Sequence, residues 1–340
     1  MSEERKLRIG VVGAGAIGCL FAVEFSAGGH HVSLVARGSN LEAIKRQGGI
    51  KVTRKESPGE EVLHSNIGIV DAIEKLPTDE PLDYVVLAVK AHHLADIAEQ
   101  VEAICGENTC VITTQNGIPW WFFHKFGGEY EGRKVASSAE DASAIRAERI
   151  IGCVCYSAVS IPTPGTLDVY IKIRFPIGEP SGEDTERLQT LNVAMHQCGM
   201  NAIIGDIRKA CLVKLIAVNV TSNPISALTG ATVGEILNCP PSDALAKTME
   251  RECLTIVEKL GFDEGLRETI EQVQVKRATH FKTSMLQDRE AGKFLETSLL
   301  TAITNLGKIV GVPTPALDAI TALIELVNHV GENAKSNQVE

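Results

Sequence analysis

Residues 7–29 read LRIGVVGAGAIGCLFAVEFSAGG. The run from Leu7 to Val12 is apolar apart from Arg8 near its start, as befits a strand buried on both faces of a parallel sheet. It passes straight into Gly13-Ala14-Gly15-Ala16-Ile17-Gly18 and then into an apolar stretch with helical spacing. Three glycines at these positions have separate uses. Gly13 lets the chain turn tightly, Gly15 lets the backbone approach a pyrophosphate, and Gly18 lets the helix lie against the strand. The helix N-terminus, at Ala16 and Ile17, supplies oriented N–H groups and positive potential.

Outward from this stretch, Gly28-Gly29 ends the helix and HHVSLVAR, residues 30–37, supplies a second strand, completing the unit to which a dinucleotide fingerprint belongs. An NAD site usually carries Asp or Glu at the end of that strand. Here Arg37 stands there, suited to a 2′-phosphate, so the expected cofactor is NADP(H), with Ser39 and Asn40 as candidate helpers. The competing reading of Arg37 is a solvated surface side chain. Two further strand patterns, 84–89 (YVVLAV) and 111–114 (VITT), end in Lys90 and in Gln115-Asn116-Gly117. In an open parallel sheet the C-terminal edge faces the ligand, which makes Lys90 and Asn116 candidates for contact with cofactor or substrate.

Residues 150–177 carry short β-like runs around a Pro162-Thr163-Pro164-Gly165 turn and suggest an antiparallel extension of the sheet. A helix over 183–197 and a short apolar piece at 201–204 follow. From Asp206 only helical periodicity remains, with Ser242 and Asp243 as candidate caps. The expected fold class is α/β: a Rossmann-like, doubly wound N-terminal domain over 1–205 and an all-helical C-terminal domain over 206–333, ending in a tail, 334–340. Within CLVKLIAVNV, residues 211–220, Lys214 interrupts the pattern of a core helix. An ammonium there must be desolvated or paired, and burial lowers its pKa, as suits a general acid. A lysine snorkelling from an interface is the alternative.

Composition excludes several classes. Acidic residues outnumber basic ones, 43 to 33, and no basic track could neutralise a row of phosphates, which argues against nucleic acid. The nine cysteines lack any Cys-x-x-Cys pair, and neither they nor His30-His31 and His92-His93 have metal spacing, so no metal is expected. Cys19 reads as a small buried residue or as a low-pKa thiol near phosphate-binding backbone. The run Trp120-Trp121-Phe122-Phe123 reads as core or interface. Reduced thiols and the lack of an N-terminal signal or membrane-span pattern point to a soluble cytoplasmic protein. One chain leaves the choice between monomer and homodimer open.

The assembled features resemble the ketopantoate reductase (2-dehydropantoate 2-reductase) family. They are VVGAGAIG, Arg37, Val89-Lys90, Gln115-Asn116-Gly117, Pro164-Gly165, Ile207-Arg208 before Lys214, NVTSNPISAL from Asn219 to Leu228, Ser284 to Asp288, and Glu296. The resemblance implies NADPH-dependent reduction of a small-molecule 2-keto acid, by default ketopantoate on the way to pantothenate and coenzyme A. It implies Lys214 as proton donor, paired with Glu296, and Asn116 near the nicotinamide and the reacting carbonyl. Asn219, Asn223 and Ser284 would hold the substrate, Asp288 would support Ser284, and Lys90 would touch cofactor or substrate. Val169 stands where the family has a histidine, and Thr279-His280-Phe281 lacks an asparagine some members use; both bear on which acid is taken. Other readings are reduction of a different branched or aromatic 2-keto acid, or a non-catalytic NADPH sensor.

One spacing departs from the family. Lys214 and Asn219 are five residues apart instead of four, which in a regular α-helix turns them about 100° away from each other. A π-bulge between Leu215 and Val218 is expected to restore a common face.

Overall fold

The computed structural model describes residues 5–57, 59–135, 140–262, 264–275 and 282–336. The chain divides into two compact units. The first comprises 1–115, 120–134 and 138–207; the second comprises 116–119, 135–137 and 208–340. The division is not a single cut, since the turn at 116–119 after Gln115 groups with the C-terminal unit.

The first unit is built on β1 (Arg8–Val12), α1 (Ala16–Ala27), β2 (His31–Val35), α2 (Gly38–Gln47), β3 (Ile50–Arg54), β4 (Glu61–His64), β5 (Gly68–Val70), β6 (Tyr84–Leu87), α3 (Leu94–Ile104), β7 (Cys110–Thr113), β8 (Ile150–Cys153), β9 (Tyr156–Ser160), β10 (Thr166–Gly178), α4 (Glu186–Gln197) and β11 (Ala202–Ile204). The strand order is β4-β3-β10-β8-β7-β6-β1-β2-β5, with β9 and β11 both on β10. From β8 to β5 the neighbours are parallel. Chain order runs from β1 outward through β2 and then resumes on the other side at β6, so the topological switch lies between β1 and β6, where such folds bind ligands. The apolar character of β1, β6 and β7 follows from burial on both faces: Ile9, Val11, Val85, Val86 and Ile112 are fully inaccessible.

The region beyond β7 is more mixed than an antiparallel extension. β8 continues the parallel sheet, β10 runs antiparallel to β8 and β9, and β10 lies parallel to β3 and β11. The β3–β4 hairpin and β5 have no counterpart in the sequence reading. Their residues mix Lys51, Arg54 and Glu61 with apolar ones, and β3, besides pairing with β4, gains its other partner from β10, far along the chain. Glu24 of α1, buried, accepts from Arg54 of β3 at 2.7 Å and lies 3.1 Å from Lys172 of β10, tying helix and flanking strands together. Trp121, Phe122 and Phe123 are buried, and the Trp121 indole N–H donates to Thr113 Oγ1 at 3.2 Å, which makes this aromatic run core.

Among the described residues the second unit is helical: α5 (Ile207–Lys214), a π-helical segment (Leu215–Val220), α6 (Asn223–Thr229), α7 (Val233–Asn238), α8 (Pro240–Lys259), α9 (Glu264–Val275), α10 (Ser284–Glu290), α11 (Ser298–Val310) and α12 (Pro315–Ser336). The π segment packs against α6, α8, α9 and α11. The stretch Ile207–Thr229 is long and apolar enough by composition to cross a membrane, yet 83% of its 18-residue apolar window is buried inside the protein, as expected of a core helix. Helix α8 starts at Pro240, two residues before the expected caps. Proline suits a first-turn position, and the Ser242 hydroxyl instead donates back to the Ile236 and Cys239 carbonyls. Thr279, His280, Phe281 and the last four residues lie outside the described residues.

Candidate active site

Four parallel strands of the first unit end level with one another. Val12 pairs with both Val35 and Leu87, and Leu87 pairs with Thr113. The glycine turn, Arg37, Lys90 and Gln115 therefore emerge from one edge of one sheet. Gly13 has φ +110°, and a Cβ there would crowd the Ala88 backbone at 3.0 Å. A Cβ on Gly18 would fall 1.8 Å from the Gly13 carbonyl oxygen, so only glycine permits this approach of helix to turn. Gly15, at the N-cap of α1, is exposed, and a Cβ there would have no neighbour nearer than 4.0 Å. This is open space beside the N–H groups of Ala16 and Ile17, and it fits a pyrophosphate.

Arg37 is exposed and, among the described residues, forms no ion pair; it immediately precedes the first turn of α2. Asn40 is engaged otherwise than as a cofactor helper. Its Nδ2 donates to Ala14 O at 2.8 Å and its Oδ1 accepts from Gly165 N at 3.0 Å, so it braces the glycine loop against the Pro164-Gly165 turn. Cys19 is buried and its thiol is pushed up to about 12 by desolvation, which removes the reading as a reactive thiolate. His30 and His31 line a cavity that also includes Arg8 and Lys6, at the opposite end of the strands from the glycine turn.

In the second unit, Lys214 closes α5 and is half-buried. The π segment begins at the next residue, spanning and extending beyond the expected bulge. With hydrogen bonds from i to i+5, residues five apart lie one turn above each other, so Lys214 and Asn219 share a face. The Thr221 hydroxyl donates to the Ile216 carbonyl at 3.2 Å, five residues back, adding a side-chain bond at the end of the widened turn. Asn219 and Asn223 are 3% and 2% exposed. Asn223 Nδ2 donates to Asn219 Oδ1 at 3.5 Å, which leaves Asn219 Nδ2 and Asn223 Oδ1 buried without partners. One orphan donor beside one orphan acceptor is what a ligand bearing both a carboxylate and a hydroxyl would complete.

The remaining expected site residues are dispersed along the chain, Asn116, Ser284 and Glu296 in the second unit and Lys90 in the first. Asn116 is exposed on the 116–119 turn. Ser284 is exposed in the first turn of α10, behind the N-cap Thr283, whose hydroxyl accepts from Leu286 N at 3.2 Å. Asp288 is 3.5 Å from Lys293, with which it forms an ion pair. Glu296 is half-buried and accepts from Ser298 Oγ at 3.2 Å. Lys90 is exposed just past β6. Val169 is buried in the first unit's core.

The sequence reading used Gln115 only as part of a motif. The structure shows its side chain fixed across the end of β6, donating to Leu87 O at 2.9 Å and to Val89 O at 3.0 Å. No local signal marks this, because the acceptors lie more than twenty residues earlier.

Comparison with known proteins agrees with this architecture. The family model for ketopantoate reductase PanE/ApbA matches residues 9–180, and that for its C-terminal domain matches residues 206–328. A 2-dehydropantoate 2-reductase of Mesorhizobium japonicum is 40% identical over 327 residues, covering 94% of this chain and 97% of its own. Among solved structures, a Ralstonia solanacearum MolK2 protein named as a ketopantoate reductase superposes with a TM-score of 0.85 at 29% identity, covering 96% and 99% of the two chains. A D-mandelate dehydrogenase, solved with NADH and anilino(oxo)acetate, shares the fold at a TM-score of 0.78 and 20% identity, covering 96% and 99%. With both halves matched and a close relative aligned nearly end to end, the chain belongs to the ketopantoate reductase (PanE/ApbA) family of oxidoreductases.

Proposed function

We propose that the protein reduces 2-dehydropantoate to pantoate with NADPH, serving pantothenate and coenzyme A synthesis. The observation that carries this reading is the buried Asn219–Asn223 pair, with its unpartnered amide nitrogen and oxygen, one π turn from Lys214. A 2-keto acid bearing a carboxylate and a hydroxyl offers both an acceptor and a donor to those atoms. An analogue without the hydroxyl would leave one of them unsatisfied, which is how such a site discriminates.

The glycine turn, the N-terminus of α1 and Arg37 would hold the dinucleotide, with Arg37 meeting a 2′-phosphate. The cofactor supplies hydride to C2 of the keto acid. The charge that develops on the carbonyl oxygen is met by the Lys214 ammonium, which stabilises it and then gives up a proton. Glu296 keeps Lys214 charged and oriented, Asn116 contacts the carbonyl end, and Ser284 contributes a further hydrogen bond to the substrate. Lys90 approaches the cofactor or the substrate from the end of β6. Nine free thiols suit a reducing, cytoplasmic setting.

A panel of 2-keto acids, including ketopantoate, other branched acids and benzoylformate, followed by NADPH absorbance, tests the proposal. The highest kcat/KM is expected for ketopantoate; a higher value for an aromatic acid would replace it.

A further inference from the structure

The sheet edge of the first unit holds one more polar group placed for a ligand. Both N–H groups of the Gln115 amide are used, in bonds to the Leu87 and Val89 carbonyls. These bonds fix which way the amide points, since turning it over would set Oε1 against two carbonyl oxygens. The Leu87 carbonyl also accepts from Thr114 Oγ1 at 2.7 Å, so the end of β6 to which Gln115 is bound is itself held. In this orientation Gln115 Oε1 is buried and has no partner. A buried acceptor without a donor is costly and calls for one.

Position along the sheet identifies the donor. Arg37 lies past β2, on one side of β1, and β6 and β7 lie on the other. A dinucleotide with its pyrophosphate at Gly15 and its adenosine end towards Arg37 extends its other half past β6 towards β7. At roughly 4.8 Å per strand, β7 is about 10 Å from β1, beyond the ribose next to the pyrophosphate and level with the nicotinamide ring. The hydrogen-bond donor on that ring is the carboxamide. We propose that Gln115 Oε1 accepts a hydrogen bond from the carboxamide N–H of the bound nicotinamide cofactor and so sets the rotation of the ring. This rests on the reading that the glycine loop binds a nicotinamide dinucleotide.

The test is a fluorescence binding titration with three reduced cofactors: NADPH, its thionicotinamide analogue, which keeps the N–H donors, and its 3-acetylpyridine analogue, which has none. The unmodified protein is expected to bind the thio analogue within about threefold of NADPH and the acetyl analogue about tenfold more weakly. In Gln115→Met the amide and acetyl forms should bind within about twofold of each other. Equal binding of both forms by the unmodified protein, or tenfold discrimination surviving in Gln115→Met, would overturn the assignment. Should that variant not fold, NADPH carrying a 15N-labelled carboxamide, bound to the unmodified protein, decides: one amide proton shifted downfield and slow to exchange is expected, and two equivalent, fast-exchanging protons would refute it. Failure of the unmodified protein to bind any of the three would instead remove the cofactor reading itself, together with this one.

Discussion

Lys214 and Arg37 are single side chains whose loss should have separable effects. Lys214→Ala is expected to lower kcat by about 10²–10⁴ while leaving NADPH affinity unchanged, as measured by steady-state rates alongside a binding titration. Arg37→Asp should weaken NADPH by roughly tenfold or more and spare NADH, because the loss is confined to a charge-assisted contact with the 2′-phosphate; the two dissociation constants check it. The thiols give a third expectation. Cys239 is exposed, whereas burial pushes Cys198 up to about 11 and Cys19 and Cys105 up to about 12. The native protein should therefore show one rapidly reacting thiol per chain with a chromogenic disulfide at pH 8, abolished by Cys239→Ser. Lys214 could be singled out as a candidate from the sequence because a charge within CLVKLIAVNV breaks an otherwise apolar helix. Gln115 and Asn40 could not: their partners, Leu87, Val89, Ala14 and Gly165, are neighbours only after the strands have assembled.

At the scale of elements, β1, α1, β2, β6 and β7 were legible because strands buried on both faces must be continuously apolar and the glycines between them have one structural use. The β3–β4 hairpin was hidden because its strands are largely exposed or half-exposed and mix charged with apolar residues, and β3's second partner, β10, lies far along the chain. The π segment was legible through the family resemblance, as one residue more between Lys214 and Asn219 than the family's usual spacing. It also supports a prediction. Val218 is half-buried within a segment whose other residues are mostly buried, so deleting it removes the extra residue with little loss of packing. An ordinary α-helix then places the lysine and asparagine four apart on one face. The deletion variant should melt at a higher temperature and lose less than about tenfold in kcat/KM, against the much larger loss in Lys214→Ala. A collapse of activity as deep as that of Lys214→Ala would mean that the widened turn itself shapes the site.

For the molecule as a whole, His64 sets a pH dependence. Burial, and then the nearby Arg54 charge, lower its pKa from 6.5, partly opposed by Glu24. The unfolded chain takes up a proton near pH 6.5 while the native state still resists it, so stability from this group is complete above that pH and declines as pH falls below it. Denaturant midpoints at pH 7.5 and 5.5 should differ more for the unmodified protein than for His64→Gln. The same neighbourhood contains the carboxylate of Glu24, shared by cations from two strands. Peeling the flanking strands from α1 would strand that anion in an apolar interior with neither counter-ion. Amide protons of β3 and β10 should therefore exchange with deuterium in step with those of β1 and β6, through one collective opening rather than by fraying from the periphery.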